Sequence, residues 1–218
     1  MNYLDKYNEW LESKVIDNDT KNELKELNGN SKEIEDRFYK DLEFGTGGLR
    51  GVMGAGSNRV NKYTIGKATQ GFAHFLLKKY SKSELESRGV VIAYDVRNNS
   101  KFFAEISAKV LSSASIKVHL FSVPVPTPEL SFAVTHYNAV AGIVLTASHN
   151  PKEYNGYKVY DEYGCQLVPA VAEELIKFVN DVEDYSKINF SGNDELIEYV
   201  DCTNECVDVV LKQSVFDD

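Results

Sequence analysis

The chain has 218 residues, enough for one domain or two small ones, and 43% of them are hydrophobic, so it can bury a sizeable core. Its formal net charge of −9, from 24 lysines and arginines against 33 aspartates and glutamates, argues against a nucleic-acid-binding protein. The N-terminus is polar and charged, no apolar run reaches the roughly 18 residues of a membrane span, and the three cysteines are too few for a disulfide scaffold. We therefore expect a cytoplasmic protein that binds neither nucleic acid nor membrane.

The first forty residues predict short helices. Apolar residues recur with helical spacing over residues 3–11. Thr20 with Glu23 has the spacing of a capping box for a second helix, and Asn30 or Ser31 is placed to cap a third. Aromatic residues in such stripes usually pack in a core.

Strand and helix patterns alternate after a long predicted helix at about residues 64–80. Apolar and β-branched runs at 89–94, 116–121 and 141–145 predict strands, and Ser100 and Thr127 are placed to cap the helices between them. Two runs around a turn at 161–164 predict a hairpin, and hence an antiparallel strand at the edge of the sheet. A helix from Pro169 and a last helix over 203–216 follow.

This alternation implies βαβ crossovers. We predict an α/β fold, a three-layer α/β/α sandwich with a mostly parallel mixed sheet, an antiparallel edge strand and an N-terminal helical extension. The expected division is a helical extension over residues 1–43, a domain over 44–202, and a terminal helix or the start of a linker over 203–218.

The stretch TASHNP, residues 146–151, follows the predicted strand at 141–145. Asn-Pro favours a turn, so Ser148 and His149 lie where a strand runs into a loop. Open α/β sheets bind ligands beyond the carboxyl ends of their strands. By spacing alone, Ser148 is either an ordinary loop serine or, with a histidine beside it, the nucleophile of a serine esterase, although no GxSxG elbow surrounds it.

Two other motifs carry residues with functional chemistry. In GTGGLRG, residues 45–51, the glycines allow the backbone to approach a ligand, and Arg50 can bind phosphate through two hydrogen bonds. The spacing matches neither a dinucleotide fingerprint nor a P-loop. Asp95, Arg97 and Ser100 form a D-x-R-x-x-S element, which we interpret as structural support from an ion pair and a capping serine.

TASHNP, the NGYK that follows it at residues 155–158, GTGGLRG and the D-x-R-x-x-S element together resemble the motifs of the α-D-phosphohexomutases, the family of the phosphoglucomutases and phosphomannomutases. The resemblance implies that Ser148 carries a phosphoryl group and that His149 and Lys158 are catalytic. It also implies that Arg50 binds phosphate together with these three residues, and that residues 44–202 are domain I of the family. Whether His149 or Lys158 is the general base stays open.

The implied activity is the interconversion of hexose 1-phosphate and hexose 6-phosphate, with glucose as the favoured sugar, through a phosphoserine and a sugar bisphosphate. The implied cofactor is Mg²⁺, bound by the phosphate of Ser148 together with aspartates of a DGDxDR loop, and hexose 1,6-bisphosphate is the implied activator. That loop is absent from the 218 residues. We therefore expect an N-terminal part of a longer enzyme that is inactive without its other domains. A non-catalytic module that binds a sugar phosphate or a protein is the other alternative.

Overall fold

A computed structural model describes residues 2–213. The N-terminal part is helical, as predicted, and its three helices are α1 over Tyr3–Glu12, α2 over Asn18–Glu26 and α3 over Ser31–Phe38. The Trp10 ring packs edge to face against Phe38 and Tyr63, with ring centroids 5.6 Å apart in both pairs. Helices this short are marginal in isolation, so burial in the shared apolar cluster, which also includes Leu24 of α2, stabilises them.

The rest of the described chain alternates strands and helices. The strands are β1 over Leu49–Val52, β2 over Val90–Tyr94, β3 over Val118–Phe121, β4 over Ala141–Leu145, β5 over Tyr154–Tyr160 and β6 over Ile197–Val200. The helices are α4 over Lys62–Lys79, α5 over Lys82–Ser87, α6 over Ser100–Ser113, α7 over Thr127–His136, α8 over Pro169–Asn180 and α9 over Thr203–Leu211. None of the helices within residues 2–213 combines the length and the apolarity of a membrane span.

The strands form one sheet in the order β1-β5-β4-β2-β3-β6. Strands β2, β3, β4 and β6 are parallel, whereas β5 is antiparallel to both of its neighbours. The connections from β2 to β3 and from β3 to β4 cross the sheet in opposite directions, so right-handed crossovers place α6 and α7 on opposite faces. Helices α4 and α8 lie on the side of α6, and α9 packs against α7. The predicted three-layer sandwich is confirmed.

The predicted antiparallel edge of the sheet is present, but the strand that forms it is β1, which was not predicted. Strand β5 is not at the edge, because β1 pairs outside it with Leu49 opposite Tyr157. Neither β1 nor β6 was predicted, since each has four residues and no run of alternating or continuous apolar side chains. The prediction of a return strand after the turn at 161–164 is wrong, because within residues 2–213 no strand follows that turn directly. In its place there is an isolated β-bridge between Tyr160 and Gln166.

Helix ends are the other place where the predictions need correction. Asp17, not Thr20, caps α2, and its carboxylate accepts the Thr20 N–H at 2.8 Å. Pro126 precedes α7, so Thr127 is its first helical residue and not its cap. Helix α9 ends at Leu211, and the predicted continuation over 214–216 lies outside the described residues.

Candidate active site

Ser148 lies in an exposed loop at the carboxyl end of β4, as predicted. The Ser148 N–H donates to the hydroxyl oxygen of Thr146 at 2.9 Å, and the Asn150 N–H donates to the carbonyl of Ala147 at 3.0 Å. Ser148 itself has a left-handed backbone, with φ 54°. This conformation costs about 1–2 kcal/mol for a residue other than glycine, so the surrounding contacts must hold it in place.

Lys158 contacts Ser148 directly. Strand β5 returns antiparallel to β4 and places Lys158 opposite Val144, near the end of β4. From there the Lys158 ammonium donates to the hydroxyl oxygen of Ser148 at 3.1 Å. Burial lowers the pKa of Lys158, and the neighbouring Arg50 guanidinium lowers it further. A phosphate on Ser148 would have the opposite effect, because a nearby anion favours the ammonium.

Arg50 reaches the same loop from the edge strand. It pairs with Gly156 between β1 and β5, and its guanidinium donates to the Asn150 side-chain oxygen at 2.7 Å. Gly156 makes this approach possible. A Cβ at Gly156 would lie 2.7 Å from the carbonyl oxygen of Leu49 and 2.8 Å from that of Thr146, closer than side chains are found. The glycine of NGYK therefore allows three strands to come together beneath the site.

Arg97 binds the backbone of the loop that carries Ser148. Its guanidinium donates to four backbone carbonyls of the loop, at Ser148 (2.6 Å), Asn150 (2.5 Å), Pro151 (2.9 Å) and Tyr154 (3.3 Å). One planar cation thus contacts both ends of the loop that carries Ser148.

The D-x-R-x-x-S element aims this guanidinium. Asp95 accepts the Arg97 N–H at 3.0 Å and lies 3.5 Å from the Arg97 guanidinium. Ser100 does not cap α6 with its side chain, contrary to the prediction. Asn99, with φ 62°, is the residue before α6, and the Ser100 hydroxyl donates to Asp95 at 2.7 Å. The support involves the expected residues, but Ser100 acts through Asp95.

The remaining expected residue, His149, follows Ser148 and is exposed. Within residues 2–213 no hydrogen bond to its imidazole is found, whereas Ser148, Lys158 and the Arg50-bound Asn150 are directly connected. The role of Asn150 was not predicted from the sequence. Its only signal was its place in TASHNP, and a partner 100 residues away cannot be identified from local pattern.

Comparison with known proteins places these motifs in a family. The family model described as phosphoglucomutase/phosphomannomutase, alpha/beta/alpha domain I, matches residues 41–186. The chain belongs to the phosphoglucomutase/phosphomannomutase family. It is 43% identical over 164 residues to a phosphoglucomutase of Staphylococcus haemolyticus, with 75% of this chain and 29% of that protein covered. It is 42% identical over 170 residues to a phosphoglucomutase of Staphylococcus aureus, with 77% and 30% covered.

The chain therefore spans about 30% of the length of these curated relatives. A solved phosphoglucomutase/phosphomannomutase family protein from Burkholderia thailandensis superposes with a TM-score of 0.58 and 22% identity, over 80% of this chain and 36% of that one. At that identity the likeness shows the fold alone. It agrees with the sandwich described above and with the alpha/beta/alpha description of domain I.

The described side chains do not by themselves form a site for the Mg²⁺ that the family resemblance implies. No group of three or more His, Cys, Asp or Glu side chains placed to hold a metal occurs within residues 2–213. Asp95, the carboxylate that supports the Ser148 loop, already accepts hydrogen bonds from the Ser100 hydroxyl and the Arg97 backbone N–H. A divalent metal would therefore need ligands beyond the side chains of residues 2–213.

Proposed function

We propose that this chain is the phosphoserine-bearing domain I of a phosphohexomutase that interconverts hexose 1-phosphate and hexose 6-phosphate, with glucose as the sugar. The observation that carries the proposal is the 3.1 Å hydrogen bond from the Lys158 ammonium to the exposed hydroxyl of Ser148. It places a cation at the oxygen to which a phosphoryl group would be attached. The same proposal includes a cytoplasmic location. It also includes the division of the chain into a helical extension over residues 1–43, domain I over 44–202, and a terminal helix or linker start over 203–218.

In the proposed step the bond between Oγ of phosphorylated Ser148 and phosphorus breaks, and a bond from a sugar hydroxyl oxygen to phosphorus forms. Oγ leaves with the electron pair and takes up one proton, which regenerates the Ser148 hydroxyl. The sugar hydroxyl loses its proton to a base, for which His149 and Lys158 remain the two candidates. Phosphoryl transfer depends mostly on positioning and on positive charge near the phosphoryl oxygens. Lys158 is in contact, and Arg50 is held over the loop by Asn150.

Mg²⁺, when bound, would neutralise charge on the phosphate, with Ser148 phosphate as one of its ligands. Hexose 1,6-bisphosphate is the proposed source of the phosphoryl group on Ser148. Ser148 and His149 are exposed, so the described residues do not exclude water from the reacting groups. We therefore expect the purified 218-residue chain not to turn over hexose phosphates, and steady-state conversion of glucose 1-phosphate by it would contradict this.

The decisive experiment is to incubate the full-length protein that contains this chain with glucose 1,6-bisphosphate and to search for phosphate on Ser148 by peptide mass. The Ser148→Ala variant is the control and should carry no phosphate in that peptide. Absence of phosphate in the unmutated protein would instead favour a non-catalytic module that binds a sugar phosphate or a protein.

The arrangement offers little support for a serine esterase. The Ser148 hydroxyl is hydrogen-bonded to Lys158, and the described hydrogen bonds include none between His149 and Ser148, the pair that the sequence suggested. An esterase needs a base at that hydroxyl. Labelling of Ser148 by a fluorophosphonate probe, lost in Ser148→Ala, would reverse this conclusion.

A further inference from the structure

Asn155 is a fully buried polar side chain in the NGYK motif. Its amide nitrogen donates to the Ser100 hydroxyl oxygen at 2.9 Å and to the carbonyl oxygen of Asn98 at 3.0 Å. Its amide oxygen accepts the Gly156 N–H at 2.8 Å. Both donors and the acceptor are therefore used inside the protein, which is the arrangement that fixes a buried amide in one orientation.

This orientation determines the direction of the hydrogen bonds that follow. Because Ser100 accepts from Asn155, its single hydroxyl hydrogen is free to donate to the Asp95 carboxylate, 2.7 Å away. Asp95 in turn accepts the Arg97 N–H and lies beside the Arg97 guanidinium. The donors therefore point one way, from the buried amide to the carboxylate that orients Arg97.

We propose that Asn155 is a positioning residue for Ser148. It acts through Ser100 and Asp95 to keep the Arg97 guanidinium on the carbonyls of the Ser148 loop, and so holds Ser148 in its left-handed conformation beside Lys158. The significance of this positioning for phosphoryl transfer rests on the proposed function. The contacts themselves do not, and they can be tested without any reaction.

The informative variant is Asn155→Asp, which keeps the shape and the oxygen that accepts from Gly156. Its carboxylate is an acceptor where Asn155 donates, so it competes with Asp95 for the Ser100 hydroxyl hydrogen. Burial raises the pKa of a carboxyl group, and the protonated acid again provides one donor toward Ser100. Loosening of the loop in this variant should therefore be strong at pH 8 and weaker at pH 5.

The readout is amide hydrogen exchange in the loop of the 218-residue chain, followed by NMR at Asn150 and Tyr154 and corrected for the intrinsic effect of pH. Loss of a buried hydrogen bond predicts exchange about tenfold faster in Asn155→Asp at pH 8, with partial recovery at pH 5. The matched control is Ser107→Ala. Ser107 is also fully buried, but its hydroxyl donates to the Phe103 carbonyl inside α6. In Ser107→Ala the amide hydrogens of the Ser148 loop should exchange at the same rate as in the unmutated chain.

Equal loop exchange in Asn155→Asp and Ser107→Ala, with both variants folded, would overturn the proposal. If Asn155→Asp does not fold, Ser100→Ala interrupts the same series one step nearer the loop. It should accelerate loop exchange by a similar factor, and unchanged exchange in that variant would also overturn the proposal. Phosphate on Ser148 is measured separately in the full-length protein, so its absence counts against the proposed function and not against the loop result.

Discussion

The Arg97 guanidinium lies 2.6 Å from the carbonyl oxygen of Ser148, whereas the Lys158 ammonium contacts the hydroxyl of the same residue at 3.1 Å. Two cations thus contact one serine in different ways. Arg97 binds the backbone and holds the loop, whereas Lys158 binds the oxygen that would carry phosphate. Substitutions of the two residues should therefore differ in their effects on stability and on phosphoryl transfer.

Arg97→Lys should lower both loop order and phosphorylation of Ser148. A lysine keeps the charge but cannot donate to four carbonyls from one planar group, so we expect the free energy of unfolding to fall by about 1–3 kcal/mol. Urea denaturation measures this loss, and peptide mass measures the phosphate that the full-length protein takes from glucose 1,6-bisphosphate. Arg88→Lys is the control, because Arg88 also donates to a backbone carbonyl, that of Asn138, away from the loop. Equal loss of phosphorylation in both variants would contradict the assigned role of Arg97.

Lys158→Met should slow the phosphorylation of Ser148 strongly and change the stability of the protein little. The side chain is half-buried, and the substitution keeps an unbranched apolar stem, so stability should change by less than about 1 kcal/mol. Removing a cation from the reacting oxygen should slow phosphorylation of Ser148 by about 10²–10³-fold. Rapid quench of the full-length enzyme with labelled glucose 1,6-bisphosphate gives this rate. A slow variant that is also strongly destabilised would indicate that Lys158 is structural.

The titration of Lys158 should report the phosphate on Ser148. In the unphosphorylated chain, burial and then Arg50 hold the pKa of Lys158 below its ordinary value of 10.5. The folded protein therefore binds this proton less tightly than the unfolded chain, and the free energy of unfolding rises with pH between the lowered pKa and 10.5. Phosphorylation should move the pKa upward. Carbon NMR of the lysine side chain, before and after phosphorylation, checks the direction, and a fall in pKa would contradict the contact.

Ser148→Gly and Ser148→Ala should differ in stability although neither can be phosphorylated. The left-handed backbone, φ 54°, is strained for alanine and unstrained for glycine. The glycine variant should therefore be the more stable by about 1 kcal/mol, after allowance for the greater freedom of its unfolded chain. Thermal and urea denaturation compare the two. Greater stability of the alanine variant would show that the loop relaxes out of this conformation.

Acid should weaken the attachment of the N-terminal helices through Asp17. Burial opposes its ionisation, but the Lys62 ammonium and the cap hydrogen bond from Thr20 outweigh burial and hold the pKa of Asp17 well below its usual 3.8. A depressed carboxyl pKa gives stability that is present above 3.8 and is lost as pH falls toward the folded value. Asp17→Asn keeps a cap acceptor and should flatten this acid dependence, which unfolding curves from pH 5 to pH 2 would show.

Asp19→Asn is the control for this experiment. Asp19 is exposed in the first turn of the same helix, so its substitution should leave the acid dependence unchanged. An identical flattening in both variants would show that the helix dipole, and not the Asp17 cluster, is responsible.

The amino-acid sequence predicted the long and periodic elements well. The strand at 141–145 and the helix starting at Pro169 were found because continuous apolar runs and a proline at the first helical position are local signals. Strand β1 was missed because its residues are held by pairing with β5 and not by their own propensity. Thr20 was predicted to cap α2, whereas the cap is Asp17, because both residue types are common caps and the sequence does not distinguish them.

Periodicity and short motifs are properties of neighbouring residues, so the sandwich and the candidate residues Ser148, Lys158 and Arg50 could be predicted without a structure. The folded chain was needed to show that Arg97 donates to the loop carbonyls, that Asn150 accepts a hydrogen bond from Arg50, and that the buried Asn155 donates to Ser100. These contacts join residues 51 to 100 positions apart. Their partners are set by strand order and register in the sheet, which local pattern does not encode.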